Sequence, residues 1–231
     1  MKRIFFTFSW IFLVSISSLA QEQINQMDAQ GRRHGFWKKT YPDSQQIRYE
    51  GTFEHGKEVG TFKFYCEDCG KQPTAVSVFS DKDASVWVQY FTIKGKLVSE
   101  GKMINKEREG EWVSYHEKSN EAMSREFYRN GKLEGKQTTY YPNGKITEEL
   151  QYVNGIKEGE NLYYSPEGVL IKKLKYHNDQ LDGPATYYDA AGNVVIEGFY
   201  QKGKKHGLWR YYKNGQLELE ETYPKPLKRG N

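Results

Sequence analysis

A glycine recurs along this chain at a near-constant interval, and that spacing restricts the fold more than any other feature. It stands at Gly35, Gly60, Gly110, Gly135, Gly159, Gly183 and Gly207, and Ser85 sits in the one gap, 25 residues from both neighbours. A second series, of bulky residues, advances in steps of 23 to 26: Phe53, Phe79, Met103, Tyr128, Tyr152, Tyr176, Tyr200 and Tyr223. Both series count eight units. A self-similar period of this size marks an architecture built by stacking one small supersecondary unit.

Within a unit the pattern is that of strands. Alternate positions form apolar sets, such as Ile146, Leu150 and Tyr152, or Val194, Ile196 and Tyr200, while Thr147, Glu149, Gln151, Lys173 and Glu218 stand between them. Period-two alternation puts one set on a buried face and the other in solvent. Between the two strands of a unit lie Pro142-Asn143-Gly144, Pro166-Glu167-Gly168, Ala191-Gly192-Asn193 and Asn214-Gly215. Between units lie Asn130-Gly131, Asn154-Gly155 and Lys202-Gly203. Such dipeptides supply the positive φ of tight hairpin turns. The fold predicted is therefore all-β: one elongated, twisted, open antiparallel meander of about eight stacked hairpins. A lone hairpin cannot hide its apolar face, so each unit must lean on its neighbours, and terminal units must be capped or fray.

Composition agrees with a thin sheet. Hydrophobic residues make up 37% of the 231, against 18 tyrosines and 22 glycines. The repeat core is expected at Trp37, Phe53, Trp112, Tyr128, Tyr152, Tyr176, Tyr200, Trp209 and Tyr223. Residues 31–223 form the repeat domain, 21–30 read as a flexible lead-in, and 224–231 as a basic tail. Residues 1–20 stand apart: Lys2 and Arg3 precede the apolar run Ile4–Val14, and Ser18-Leu19-Ala20 offers small residues at a cleavage site. This is the pattern of a secretory signal peptide, which implies a periplasmic or extracellular product.

These residues resemble the MORN repeat, in the variant class common in bacterial proteins. The likeness rests on the cores Gly110-Glu111-Trp112-Val113-Ser114-Tyr115 and Gly207-Leu208-Trp209-Arg210-Tyr211-Tyr212, and on the turns Asn143-Gly144-Lys145 and Asn130-Gly131-Lys132. It runs from about Gly31 to Tyr223. It implies an elongated twisted sheet of hairpins that serves protein–protein or lipid contacts, and some bacterial relatives carry an antitoxin label.

Catalytic patterns are missing from the sequence. The five histidines, His34, His55, His116, His177 and His206, form no metal-binding or triad spacing. His34 and His206 share a repeat position with Glu109, Glu134 and Asp182, which reads as a tolerant turn. Glu148-Glu149 and Glu220-Glu221 are strand neighbours and point to opposite faces, so neither is an acid–base pair. The expectation is a non-enzyme with no cofactor and no metal site. Cys66 and Cys69, in the enlarged turn of the second unit, are expected as a local disulfide, with free thiols as the alternative. The net charge of +4 falls by two when Lys2 and Arg3 leave with the leader, which gives no case for nucleic acid.

The pairs Tyr140-Tyr141, Tyr163-Tyr164, Tyr187-Tyr188 and Tyr211-Tyr212 carry the functional reading. One member of each must leave the core face. Tyr115, Tyr140, Tyr164, Tyr188 and Tyr212 are the expected recognition surface. The expected role is a binding or scaffold protein holding a protein partner through the sheet face or edge. Membrane-lipid or glycan binding at the envelope, and an antitoxin-like neutralising role, are the alternatives.

Overall fold

The computed structural model describes residues 23–225. The leader expected over 1–20, and the tail beyond Lys225, lie outside the described residues. Nineteen strands, all paired antiparallel, form one open sheet. Strand β1 (Gln26–Met27) leads in. Eight hairpins follow: β2 (Arg33–Thr40) with β3 (Ile47–Glu54), β4 (Lys57–Phe64) with β5 (Ala75–Phe79), β6 (Ser85–Phe91) with β7 (Leu97–Ile104), and β8 (Glu107–Tyr115) with β9 (Ala122–Arg129). Next come β10 (Lys132–Leu133) and β11 (Gly135–Tyr140) with β12 (Ile146–Val153), then β13 (Ile156–Tyr164) with β14 (Leu170–His177). The last two are β15 (Gln180–Leu181) and β16 (Gly183–Tyr188) with β17 (Val194–Gln201), and β18 (Lys204–Lys213) with β19 (Gln216–Tyr223). Each strand pairs with its chain neighbours, so the sheet is a meander, as the repeat predicts.

The two spacings seen in the sequence meet across six of the eight hairpins. Gly35 is opposite Phe53, Gly110 opposite Tyr128, Gly135 opposite Tyr152, Gly159 opposite Tyr176, Gly183 opposite Tyr200 and Gly207 opposite Tyr223. The glycine is needed for the junction between units. At β7–β8, for example, Gly101 pairs with Trp112 but Lys102 pairs with Glu109, so β8 carries two extra residues around Gly110, whose φ is +72°. This bulge accentuates twist and re-aims the side chains that follow.

Ser85 keeps the count but not the conformation, which corrects the expectation that it stands in for glycine. No bulge interrupts β5–β6. Met103 consequently pairs with Val86 instead of Ser85, one residue out of the common register. A one-residue slip turns a strand over. Val88 therefore enters the core at 5% exposure while Trp87 faces solvent at 44%.

The core follows a file across the sheet: Trp37, Gly51, Phe62, Ser77, Val88, Gly101 and Trp112 are successive cross-strand neighbours over the first half, with Phe53 packed beside Trp37 and Phe62. Large and small residues alternate along it, and Phe62 and Trp112 lie over the glycine before them. A Cβ on Gly51, Gly101 or Gly198 would come within 2.5, 2.4 or 2.2 Å of the ring of Phe62, Trp112 or Trp209. The indole N–H groups of Trp112 and Trp209 donate to the carbonyls of Lys102 and Phe199 at 2.9 and 3.1 Å.

Trp37 makes the same bond to Gln26, at 2.9 Å. The lead-in is thus a half-unit cap, in place of the flexible segment expected. Gln26 and Met27 pair with His34 and Arg33, and Asn25 Oδ1 accepts the Lys38 N–H at 2.8 Å. Asp28, whose side chain is 7% exposed, accepts from Gln30 N, Arg32 N and Arg32 Nε and bonds His55 Nδ1.

The position shared by His34, Glu109, Glu134 and Asp182 also has a specific job. Glu109 accepts the backbone N–H of Asn130 at 2.9 Å, Glu134 that of Asn154 at 2.8 Å, and Asp182 that of Lys202 at 3.4 Å. His34 Nδ1 faces His55 N at 3.5 Å in the same way. Each of these turn residues has positive φ. In these units an acid or imidazole at this position supplies an acceptor, whereas the second unit holds Val59 there.

Candidate binding surface

The file opposite the core supplies the side chains that face outward. Lys38, Glu50, Lys63, Val76, Gln89, Glu100, Val113, Arg125, Thr138, Glu149, Leu162, Lys173, Thr186, Glu197, Arg210 and Glu220 are successive cross-strand partners, one per strand. Its second-strand members are acidic in every odd unit, Glu50, Glu100, Glu149 and Glu197, whereas the even units place Val76, Arg125, Lys173 and Glu220 there.

Tyrosines bond the odd-unit glutamates. Tyr65 and Tyr115 donate to Glu50 and Glu100 at 2.8 and 2.7 Å, and Tyr164 and Tyr212 donate to Glu149 and Glu197 at 3.2 and 2.6 Å. Each tyrosine lies 15 residues beyond its glutamate. The structural period is thus two hairpins. Burial, with the bond to the carboxylate added, pushes the Tyr65 and Tyr115 hydroxyls up to about 12. Burial would also raise Glu100, but hydrogen bonds from Tyr115, Gln89 and Trp87 outweigh it and hold the carboxyl below its ordinary value.

All five tyrosines expected as a recognition surface are half-buried on this side of the sheet. They divide into two kinds. Tyr115, Tyr164 and Tyr212 spend their hydroxyls on glutamates. The hydroxyls of Tyr140 and Tyr188 have no hydrogen-bond partner among the described residues, although the Tyr140 carbonyl is bonded to His116 Nε2 at 2.9 Å, and the two stand beside Arg125 and Lys173. Tyr140, with Arg125, Phe127, Lys136 and Glu111, lines a shallow trough of 480 Å³.

The other face carries the expected core residues. Trp37, Phe53, Trp112 and Trp209 are buried, whereas Tyr128, Tyr152, Tyr176, Tyr200 and Tyr223 are half-buried at equivalent places. A cation lies over each buried tryptophan: Arg33 over Trp37 at 5.2 Å, Arg108 over Trp112 at 4.3 Å and Lys205 over Trp209 at 4.1 Å. Each stands four residues before its tryptophan. Leu133 and Leu181 hold that place where Gln137 and Ala185 replace the indole, whereas Lys157, four residues before Asn161, lies over Tyr176 at 5.2 Å. Sequence reading missed these cation–ring pairings.

Glu148 and Glu149 fall on opposite faces, as do Glu220 and Glu221, since Glu148 pairs with Tyr163 and Glu149 with Leu162. Cys66 and Cys69, with Cα atoms 5.4 Å apart, are joined in the enlarged turn. Among the described residues no three His, Cys, Asp or Glu side chains gather as a metal site.

A family model described as the MORN repeat variant matches residues 133–154, 181–202 and 205–223. Each match falls on one hairpin: the fifth, seventh and eighth. These three hairpins are MORN-type repeats. The same hairpin and junction bulges recur in the first, fourth and sixth units, whereas the second has an enlarged turn without a hairpin bulge and the third is slipped by one residue. MORN repeats generally serve as protein- or membrane-binding modules. No curated protein matches the chain. A solved structure of a protein with unknown function from Bacteroides fragilis is similar at 8% identity over 83% of this chain and 94% of that one. The TM-score is 0.13.

Proposed function

We propose that the protein is a non-catalytic scaffold of the bacterial cell envelope, and that it holds a protein partner on the tyrosine-bearing face of its MORN sheet. The observation that carries this reading is the division among the tyrosines. Tyr140 and Tyr188 each combine a half-buried ring, an unused hydroxyl and an adjacent cation. Rings with one apolar and one polar end are favoured anchors at protein interfaces. The envelope address rests on the leader-like residues 1–20.

The test compares capture of partners by the wild-type chain and by a Tyr140→Ser/Tyr188→Ser variant in the source cell. Loss of about tenfold or more in affinity supports the reading, and equal capture removes it. Co-sedimentation with liposomes that depends on the same two tyrosines would replace the protein partner with a membrane. N-terminal sequencing of protein from the envelope fraction should begin at Gln21; an intact Met1 would remove the address.

A further inference from the structure

The two ends of the sheet are finished differently. At the start, β1 lies along β2 and occupies its outer edge. At the other end, β19 pairs only with β18 among the described residues. Leu217 and Leu219 are 51% and 49% exposed there. Their counterparts one unit earlier, Val194 and Ile196, are half-buried, and Ile196 packs under the strand that follows.

Internal junctions specify the strand that β19 lacks. Across β17–β18, Ile196 faces Tyr211 and Glu197 faces Arg210. Leu219 and Glu220 hold those two positions in β19. Glu50 faces Lys63 in the same manner. The third position differs, because Glu221 stands where Gly198 receives the ring of Trp209. An indole cannot lie there. Where an internal strand carries glutamate at this point, Glu126, the next strand offers Gln137, whose amide donates to the carboxylate at 2.9 Å.

Resting on the protein-binding reading above, we infer that the outer edge of β19 is completed by an extended, antiparallel segment of the protein partner. That segment carries an apolar or aromatic side chain opposite Leu219, a basic one opposite Glu220 and an amide over Glu221. Backbone bonds along an edge supply affinity, and alternate side chains supply selection. A second copy of this chain is the poorer occupant. Pairing β19 with itself sets Glu218 and Glu220 of both copies together, a device by which sheet edges resist self-association.

The probe is a synthetic peptide of the sequence Lys204–Lys213 with glutamine at the position of Trp209, added to the full chain from Gln21. It should slow amide exchange across 216–223. A second peptide with glutamate at the position of Arg210 should bind at least about tenfold more weakly, and Glu220→Lys in the protein should reverse the preference. Unchanged exchange at 216–223 under saturating peptide, or equal binding of both peptides, overturns the inference. So does a dimer in sedimentation that protects 216–223. A partner retained by Glu220→Lys but lost by Tyr140→Ser/Tyr188→Ser overturns the edge and leaves the face reading standing; the converse supports the edge and removes the face.

Discussion

The indole of Trp209 lies directly over the backbone of Gly198, so close that a Cβ there would be 2.2 Å from the ring's Cδ2. The seventh and eighth hairpins are joined through this contact, with Lys205 closing the ring's far side at 4.1 Å. Gly198→Ala should therefore destabilise the chain by overpacking, by about 1–3 kcal/mol. That corresponds to a fall in Tm of roughly 2–4 °C per kcal/mol for a chain of this size. Thermal melts of Gly198→Ala, alone and with Trp209→Phe, check it. The second change should recover little of the loss, since a Cβ on Gly51 would likewise lie within 2.5 Å of the Phe62 ring.

Tyr65 and Tyr115 should ionise late. Their hydroxyls, pushed up to about 12 by burial and by Glu50 and Glu100, keep their protons in the folded chain after the unfolded chain has lost them, from about pH 10. Their contribution to stability is complete below pH 10 and disappears as pH rises towards 12. In the tyrosinate absorbance titration, Tyr65→Phe and Tyr115→Phe should each remove one group that ionises above pH 10. Glu100→Gln should bring the Tyr115 group down and leave that of Tyr65 in place.

Trp87 should dominate collisional quenching. In the chain from Gln21 the tryptophans are Trp37, Trp87, Trp112 and Trp209, and Trp87 is 44% exposed where the other three are at most 9%. Iodide should quench one emitting component strongly, and Trp87→Phe should abolish it. Strong quenching that persists in the variant would mean that the third unit keeps the common register.

The Asp28 cap should be separable from the rest of the sheet. Three donors from Gln30 and Arg32, together with His55, converge on its carboxylate and hold it well below the usual range, His55 contributing most. A depressed carboxyl stabilises above its unfolded value near 3.9 and ceases to only as pH falls through the folded one, so the cap should persist across neutral and mildly acidic pH. Asp28→Asn should speed amide exchange over residues 25–38 and leave the eighth hairpin unchanged. Uniform acceleration along the chain would show that the cap is not a local unit.

Local chemistry made the architecture legible. Eight hairpins, the tight turns between most units and the face of nearly every ruler residue follow from glycine or asparagine at positive φ and from alternation along a strand, both set within a few residues. The paired carboxylates could be dismissed on the same ground. What a strand meets across the sheet is set elsewhere. Whether Tyr140 or Tyr164 has a free hydroxyl depends on the residue that a neighbouring hairpin places opposite it, and Arg125 and Glu149 occupy equivalent positions with opposite charge. Whether a tryptophan is buried depends on a bulge that Gly110 permits and Ser85 does not, which separates Trp112 from Trp87 despite identical spacing. The repeat, the strands and the turns were thus determined by the sequence alone, because each is a short-range preference. The tyrosines left free, the glycines that receive rings and the edge left open were decided by tertiary register, which couples residues ten or more positions apart.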